Sequence, residues 1–228
     1  MFSINKAVLH TAFKDTLPVL TGYIVLGFGF GVLLAAHHFP AWLAPFMSIT
    51  MYAGAMQYLA VDLLYNHIDF LSISIATFLV NARHLLYGIS LINQYKGTGW
   101  RKLYLIWGLT DETYSLVTAN LHPHDKDYYW YVTILDHLYW ISGCTLGGIV
   151  GSMLPFNTTG IDFALTALFI VIFTEQWLNT DKHFSAGLGI FATVICLFLF
   201  SAKNFLIPSI IIICIVLCFT RKYERRWK

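Results

Sequence analysis

The sequence predicts an all-α polytopic membrane protein with seven or eight transmembrane helices, of which some can be broken or re-entrant. Of its 228 residues, 57% are hydrophobic and only 11% are charged, whereas soluble domains carry about 25% charged residues. The apolar residues form successive runs of roughly 20 residues, which is the length that a helix needs to cross a bilayer. The formal net charge is only +2, and the basic residues are scattered, so nucleic acid is not expected as a partner.

The first four apolar runs are predicted as spans over residues 17–36, 42–64, 70–91 and 103–121. Asp15 and Thr16 stand before Pro18, a typical helix start for the first span. The same span carries Gly27 and Gly31, a spacing that lets another helix backbone approach closely. The second span has an unusually polar, glycine-bearing centre, and a basic hydrophilic loop over 93–102 separates the third span from the fourth.

The remaining runs cover residues 129–154, 163–178, 184–200 and 205–219. The first of these carries Asp136 and His137 in one half and a glycine ladder, Gly143 to Gly151, in the other; we expect the ladder to pack against another helix. We predict a short cytoplasmic lead over 1–14, a single transmembrane domain over 15–220 and a basic cytoplasmic tail over 221–228. The localisation predicted is a bacterial inner membrane, crossed several times.

The distribution of basic residues conflicts with a simple count of spans. The basic tail belongs on the cytoplasmic side, and eight complete spans would then place the loop that carries Lys96, Arg101 and Lys102 outside. The conflict disappears if one segment before this loop and one after it are broken or re-entrant. The second span and the short last span, which contains Pro208, are the candidates that the sequence offers.

An arginine and a histidine lie inside the third apolar run, within the segment Asn81-Ala-Arg-His-Leu-Leu-Tyr-Gly88. A cation at membrane depth costs roughly 2.5–3.5 kcal/mol on insertion scales, so it requires a partner, a wet cavity or a function. Residues spaced three and four apart share one helix face. Such spacing predicts a polar stripe made of Ser74, Thr77, Asn81, His84 and Gly88.

Three ordered motifs resemble the signatures of the azaleucine-resistance AzlC family: Tyr52-Ala-Gly-Ala-Met-Gln57, the Asn81–Gly88 segment, and Gly108-Leu-Thr-Asp-Glu-Thr113. The resemblance covers the chain from Asp15 onward. It implies an inner-membrane permease that exports leucine, isoleucine, valine and, as a further candidate, methionine. It also implies a partner that this chain does not contain, a small AzlD-type membrane subunit.

The motif residues supply the groups that an amino acid needs inside a membrane. We expect Asp111 or Glu112 to bind the ammonium group, and Arg83 or backbone amides near Gly54 to bind the carboxylate. An unperturbed histidine titrates near neutral pH, so His84 could carry a coupling proton with one of the two carboxylates. The full set expected along the substrate and ion pathway is Tyr52, Gly54, Gln57, Asn81, Arg83, His84, Tyr87, Gly88, Asp111, Glu112 and Tyr114.

Structural roles compete with these functional ones. Arg83 could form an ion pair with Asp111 or Glu112 that fixes helix register without touching substrate. His84 could be a satisfied core histidine, and one of the two carboxylates could face interfacial water. Asp136 and His137 lie outside the three motifs and are not included in the expected site.

Two other classes of function compete with a secondary transporter. A channel or efflux pore for another small solute would use the same glycine-rich helices and polar stripes. An intramembrane hydrolase is disfavoured, because Ser74 and His84 would lie about 15 Å apart on one helix and no nucleophile elbow or zinc-protease motif occurs. We therefore expect a protein that is not an enzyme, with no cofactor and no metal.

Overall fold

The computed structural model describes residues 5–119, 125–153, 183–200 and 205–224, together with residues 170, 173–174 and 177–178. Within these residues the chain is helical and contains no strand. It divides into two compact units, Met1–Leu165 and Thr166–Lys228. The single domain expected over 15–220 stays a prediction.

The helices have the following bounds. In the first unit they are α1 (Lys6–Asp15), α2 (Leu17–Ala36), α3 (Leu43–Thr50), α4 (Gly54–Tyr65), α5 (Phe70–Ser90), α6 (Arg101–Trp107), α7 (Asp111–Thr118) and α8 (Lys126–Met153). In the second unit they are α9 (Phe184–Leu199) and α10 (Leu206–Glu224), which pack on each other. The predicted span over 163–178, including Glu175, lies mostly outside the described residues, as does the tail beyond residue 224.

The first unit is built around α8, a 28-residue helix that packs against α1, α2, α3, α6 and α7. Gly27 of α2 lies against Cys144 of α8, and Gly31 lies against Gly148. Because the contacts advance in the same order along both helices, α2 and α8 run parallel. A Cβ atom on Gly31 would collide with the α8 backbone, so the predicted small-residue packing is confirmed and its partner is identified.

The predicted second span is interrupted, and its two halves form a hairpin. The first half, α3, starts beside Gly148 near the Met153 end of α8, where Ala44 contacts that glycine. It ends near the middle of α8, where the Ser48 carbonyl meets His137. Helix α3 therefore runs inward, antiparallel to α8.

The second half, α4, returns to the end from which α3 came. Gly54 at its start lies 3.0 Å, measured from an ideal Cβ, from the ring of Trp140 in the middle of α8. Tyr65 at its end contacts His37, directly after α2, with ring centroids 4.7 Å apart. The α3–α4 segment is thus broken and turns back toward the end of α8 from which it started, as the sequence suggested for one segment before the basic loop.

The predicted fourth span is also interrupted, and it forms a second hairpin from the opposite end of α8. Helix α6 starts at the Lys126 end, where Arg101 forms an ion pair with Asp127 at 2.6 Å. It reaches the middle of α8, where the Tyr104 hydroxyl lies 2.8 Å from Nδ1 of His137. The break comes at Gly108, whose backbone turns out of the helix.

Helix α7 then returns toward the Lys126 end. Its first turn contacts the middle of α8 through Thr113 and Asp136. Val117, near its end, lies in a buried cluster with Ala12 of α1 and Tyr128 at the start of α8. A continuous span over 103–121 was expected from the sequence, and that expectation was wrong.

The other candidate for a broken segment, the last apolar run, is a continuous helix of 19 residues. Pro208 lies in its first turn, where the missing amide hydrogen would have no intrahelical partner in any case. Helices α2 and α5 are each long and apolar enough to cross a membrane. The predicted number of complete spans stays a prediction.

Candidate functional site at the meeting point of two hairpins

The tips of the two hairpins meet beside the middle of α8. Tyr52, in the break of the first hairpin, packs against Trp107 at the end of α6, with ring centroids 5.9 Å apart. It also stacks near His137 at 4.2 Å. Tyr52 adopts a left-handed backbone conformation with φ of 42°, which is uncommon for a bulky residue and clusters at functional sites.

The N-terminus of α4 forms one side of this meeting point. The residue before the helix, Ala53, provides no side-chain cap, and the first turn contains no acidic residue. The amides of Gly54, Ala55 and Met56 therefore have no acceptor from within the helix, and they carry the positive end of its dipole. Such a terminus is suited to bind a carboxylate.

Gln57 fixes this helix start to α8. Its Oε1 accepts a hydrogen bond of 2.7 Å from the Trp140 indole, and its Nε2 lies 3.5 Å from the Ser48 hydroxyl. All three residues belong to different helices, and Gln57 is fully buried. Gln57 thus joins both arms of the first hairpin to α8.

The N-terminus of α7 forms the other side and has the opposite character. Thr110 caps the helix by accepting a hydrogen bond of 3.3 Å from the amide of Thr113. Asp111 and Glu112 occupy the first turn, where negative charge is favourable to the dipole. This terminus is suited to bind a cation such as an ammonium group.

Arg83 of α5 is paired with Asp111 at 2.5 Å, and each side chain is about one third exposed, at 31% and 33%. The structural pairing that the sequence left open is therefore observed. Nε of Arg83 and Oδ1 of Asp111 are buried without a hydrogen-bond partner among the described residues.

Of the other motif residues of α5, His84 and Tyr87 lie within electrostatic range of Asp111 at the tip of the second hairpin. Asn81 donates to the carbonyl of Thr77, one turn earlier on its own helix, at 3.0 Å. The His84 and Tyr87 rings are edge to face with centroids 6.0 Å apart, and a Cβ atom added to Gly88 would meet no neighbour within 4 Å. Tyr87 stacks on Tyr114 of α7 with centroids 4.3 Å apart, so these two tyrosines help to hold α5 against the second hairpin.

His137, which sequence reasoning left out, connects the two hairpins. Its Nε2 lies 3.2 Å from the Ser48 carbonyl of α3, and its Nδ1 lies 2.8 Å from the Tyr104 hydroxyl of α6. A carbonyl oxygen can only accept, so Nε2 carries the hydrogen. In the neutral ring Nδ1 then accepts from Tyr104.

Asp136 and Tyr23 form the second feature that was missed. Asp136 is fully buried and accepts a hydrogen bond of 2.7 Å from the Thr113 hydroxyl. Tyr23 of α2 donates to Glu112 at 2.7 Å and lies 2.7 Å from the Thr110 hydroxyl. The available signal was an acidic residue and a histidine in the middle of an apolar run; Tyr23 carried no signal in the sequence.

Comparison with known proteins agrees with these motifs. The family described as AzlC protein matches residues 18–154. The branched-chain amino acid transport protein AzlC of Bacillus subtilis is 43% identical over 95% of this chain and 86% of that protein. An uncharacterized membrane protein of Helicobacter pylori is 39% identical, over 92% of this chain and 94% of its own length. The inner membrane protein YgaZ of Escherichia coli is 29% identical over 73% of this chain and 72% of its own length.

No solved structure matches the chain. The matched residues 18–154 run from the start of α2 to the end of α8, so they contain both hairpins and every residue of the meeting point. On the extent of this match and the identity to the Bacillus protein, the chain belongs to the AzlC family of membrane transport proteins.

Proposed function

We propose that this chain is the large subunit of a secondary transporter that exports branched-chain amino acids across the inner membrane. Leucine, isoleucine and valine are the expected substrates, with methionine as a further candidate. The observation that carries the proposal is the meeting of two re-entrant hairpins that start from opposite ends of α8. Discontinuous helices whose N-termini point at a common site near midplane are typical of transporter binding sites.

The two helix N-termini match the two charged ends of an amino acid. The uncapped amides at Gly54, Ala55 and Met56 would bind the carboxylate, and the acidic first turn of α7 would bind the ammonium group. Arg83 is already paired with Asp111, which favours the amides over the arginine for the carboxylate. The rings of Tyr52 and Trp107 would contact the aliphatic side chain.

Transport in this proposal requires a small AzlD-type subunit and is driven by protons that move inward. Export of an amino acid against its gradient needs an energy source, and buried carboxyl groups along a transport path are typical proton carriers. The runner-up is a channel or efflux pore for another small solute, which would use the same meeting point without coupling.

The test is radiolabelled leucine and valine efflux from preloaded cells that lack their own exporter. The chain is expressed alone, with the small subunit, and with that subunit plus Gln57→Leu, which removes the amide that positions the α4 N-terminus. Asp62→Asn, an exposed position on α4, is the matched control. We expect efflux only when both subunits are present, with loss in Gln57→Leu at equal membrane abundance.

Two results would count against the proposal. If the pair moves no branched-chain amino acid, the substrate assignment is wrong. If flux in vesicles never saturates and unlabelled leucine in the lumen does not accelerate uptake of labelled leucine, the protein is a pore, because exchange of this kind requires a carrier.

A further inference from the structure

A continuous chain of side-chain hydrogen bonds crosses the first turn of α7 and ends on a carboxyl group at each side. It starts at the half-buried Glu112, passes through the Tyr23 and Thr110 hydroxyls, continues to the Thr113 hydroxyl and ends at the buried Asp136. The four donor–acceptor distances are, in this order, 2.7, 2.7, 3.1 and 2.7 Å. Each is within the normal range for an O–H···O hydrogen bond or close to its upper limit.

The number of protons in this chain decides the charge of its ends. Four hydrogen bonds require four protons, and the three hydroxyl groups supply three. If both carboxyl groups were ionised, one of the four oxygen pairs would approach with lone pairs facing each other. One additional proton, on Glu112 or on Asp136, allows all four hydrogen bonds to form.

The surroundings of Asp136 supply no alternative cation. In the described part of the chain, the ion pairs are Arg83–Asp111 and Arg101–Asp127, and neither includes Asp136. Its Oδ1 is buried and has no hydrogen-bond partner among the described residues. A buried carboxylate without a positive partner is unfavourable, so we expect the carboxyl group to bind a proton, which removes its charge.

The titratable groups that interact with Asp136 are all acidic or aromatic. They are Glu112 of α7, Tyr23 of α2, Tyr52 of the first hairpin, and Tyr128 and Tyr139 of α8. His137, the next residue on α8, is engaged by Tyr104 and the Ser48 carbonyl. None of the groups that interact with Asp136 can supply a positive charge.

We propose that Glu112, Tyr23, Thr110, Thr113 and Asp136 form a proton relay, and that this relay carries the coupling proton of the transporter. In one state Glu112 holds the additional proton and every hydroxyl donates toward Asp136. In the other state Asp136 holds it and every hydroxyl donates toward Glu112. The two states interconvert when each group passes one proton to the next, which moves one positive charge from Glu112 to Asp136 and leaves the number of protons unchanged.

This inference rests on the proposed transport function and assigns the coupling proton to other residues than the sequence predicted. The sequence predicted His84 as the carrier of the coupling proton. This histidine lies within electrostatic range of Arg83 and Asp111 but is not part of the hydrogen-bonded chain. The relay instead joins the acidic α7 terminus, where the ammonium group would bind, to a buried carboxyl on the central helix. Substrate that binds at Glu112 would favour the state in which the proton is on Asp136.

The test uses the complete two-subunit complex in proteoliposomes with two readouts. The first is accumulation of labelled leucine in vesicles with an acidic lumen, in which outward proton movement drives uptake. The second is exchange of labelled for unlabelled leucine without a pH gradient. Tyr23→Phe removes the hydroxyl that links Glu112 to Thr110 and keeps the ring, which packs on Trp140 at 5.3 Å. Tyr58→Phe is the matched control, because this buried tyrosine bonds to the Leu26 carbonyl outside the relay.

We expect Tyr23→Phe and Asp136→Asn to lose gradient-driven accumulation and to retain exchange, while Tyr58→Phe retains both. The relay is wrong if Tyr23→Phe still accumulates leucine as the wild type does, or if the wild type responds to a sodium gradient and not to a pH gradient. Absence of exchange in the wild type would instead refute the proposed function.

An infrared measurement tests the proton count without transport. Near neutral pH the wild-type complex should show the carbonyl stretch of one protonated carboxyl group that responds to both Glu112→Gln and Asp136→Asn. Asp62→Asn should leave this band unchanged. A spectrum in which neither substitution alters such a band would show that the relay holds no additional proton.

Discussion

Arg83 and Asp111 form the ion pair that joins α5 to the tip of the second hairpin. A charge left alone at membrane depth is costly, so the two side chains depend on each other whatever else they do. Loss of either side chain leaves the other charge partly buried without a partner, whereas loss of both side chains leaves no unpaired charge. Comparison of the single variants with the double variant therefore separates the structural role of this ion pair from its functional role.

We expect Arg83→Gln and Asp111→Asn each to destabilise the folded chain by about 1–3 kcal/mol, because the remaining charge is partly buried and unpaired. The double variant should recover most of this loss. Thermal unfolding of the purified complex measures the effect, with Asp62→Asn as the control. Additive losses in the double variant would mean that the two charges do not stabilise each other.

Leucine exchange by the double variant then assigns the role of Asp111. If Asp111 binds the ammonium group, the double variant folds but does not exchange leucine. Normal exchange would leave Asp111 as a purely structural partner of Arg83 and point to Glu112 as the binding carboxylate.

At the scale of the elements, the parallel contact of α2 and α8 holds the first unit together. Gly147 lies directly against the backbone of Phe28, and Gly31 lies against the backbone of α8. Backbones this close leave no room for a side chain, and in lipid such packing supplies much of the attraction between helices.

Gly147→Ala should separate α2 from α8 and lower stability by more than about 3 kcal/mol, since its Cβ would collide with main-chain atoms that cannot move aside. Gly22→Ala on α2 is the matched control, because nothing lies within 4 Å of its Cβ position. Yield of folded complex after detergent extraction measures both. Equal yields for the two variants would contradict the observed α2–α8 contact.

At the scale of the first unit, the two hairpins resolve the charge conflict. Residues 5–153 contain seven lysines and arginines, and six of them belong to segments at the Lys126 end of α8: Lys6, Lys14, Lys96, Arg101, Lys102 and Lys126. The seventh, Arg83, is paired with Asp111. Residues 37–69, which start from and return to the opposite end, contain no lysine or arginine. By the positive-inside rule we predict that the Lys126 end faces the cytoplasm. The basic loop over 93–102 then also faces the cytoplasm, because the segments 42–64 and 103–121 each return to the side from which they start.

Single cysteines at Lys96 and His67 test this topology. In intact cells a membrane-impermeant maleimide should label His67→Cys and should label Lys96→Cys only after the membrane is opened. The parent chain, whose described Cys144 and Cys196 are buried, measures background labelling. Labelling of Lys96→Cys in intact cells would support eight complete spans and contradict the hairpin topology.

The sequence located the parts of the candidate site more reliably than their connections. The motifs around Tyr52, Arg83 and Asp111 contain residues that meet or pair in the fold, because polar groups in apolar runs must find partners. Asn81 and Gly88 share the polar stripe of α5 with His84, but Asn81 bonds within its own helix and Gly88 faces open space. Periodicity gives the face of a helix and not the neighbour that covers it.

The sequence by itself determined an all-helical membrane protein, the bounds of α2 and α5, the glycine faces of α2 and α8, and the family. These follow from composition and short-range spacing, which solvent and helix geometry constrain directly. Only the tertiary structure decided that the segments at 42–64 and 103–121 turn back, and that Glu112, Tyr23 and Asp136 belong to one hydrogen-bonded chain. Both depend on hydrogen bonds between residues as many as 89 positions apart, such as Tyr23 with Glu112 and Ser48 with His137, and hydrogen bonds at that range leave no periodic trace in a sequence.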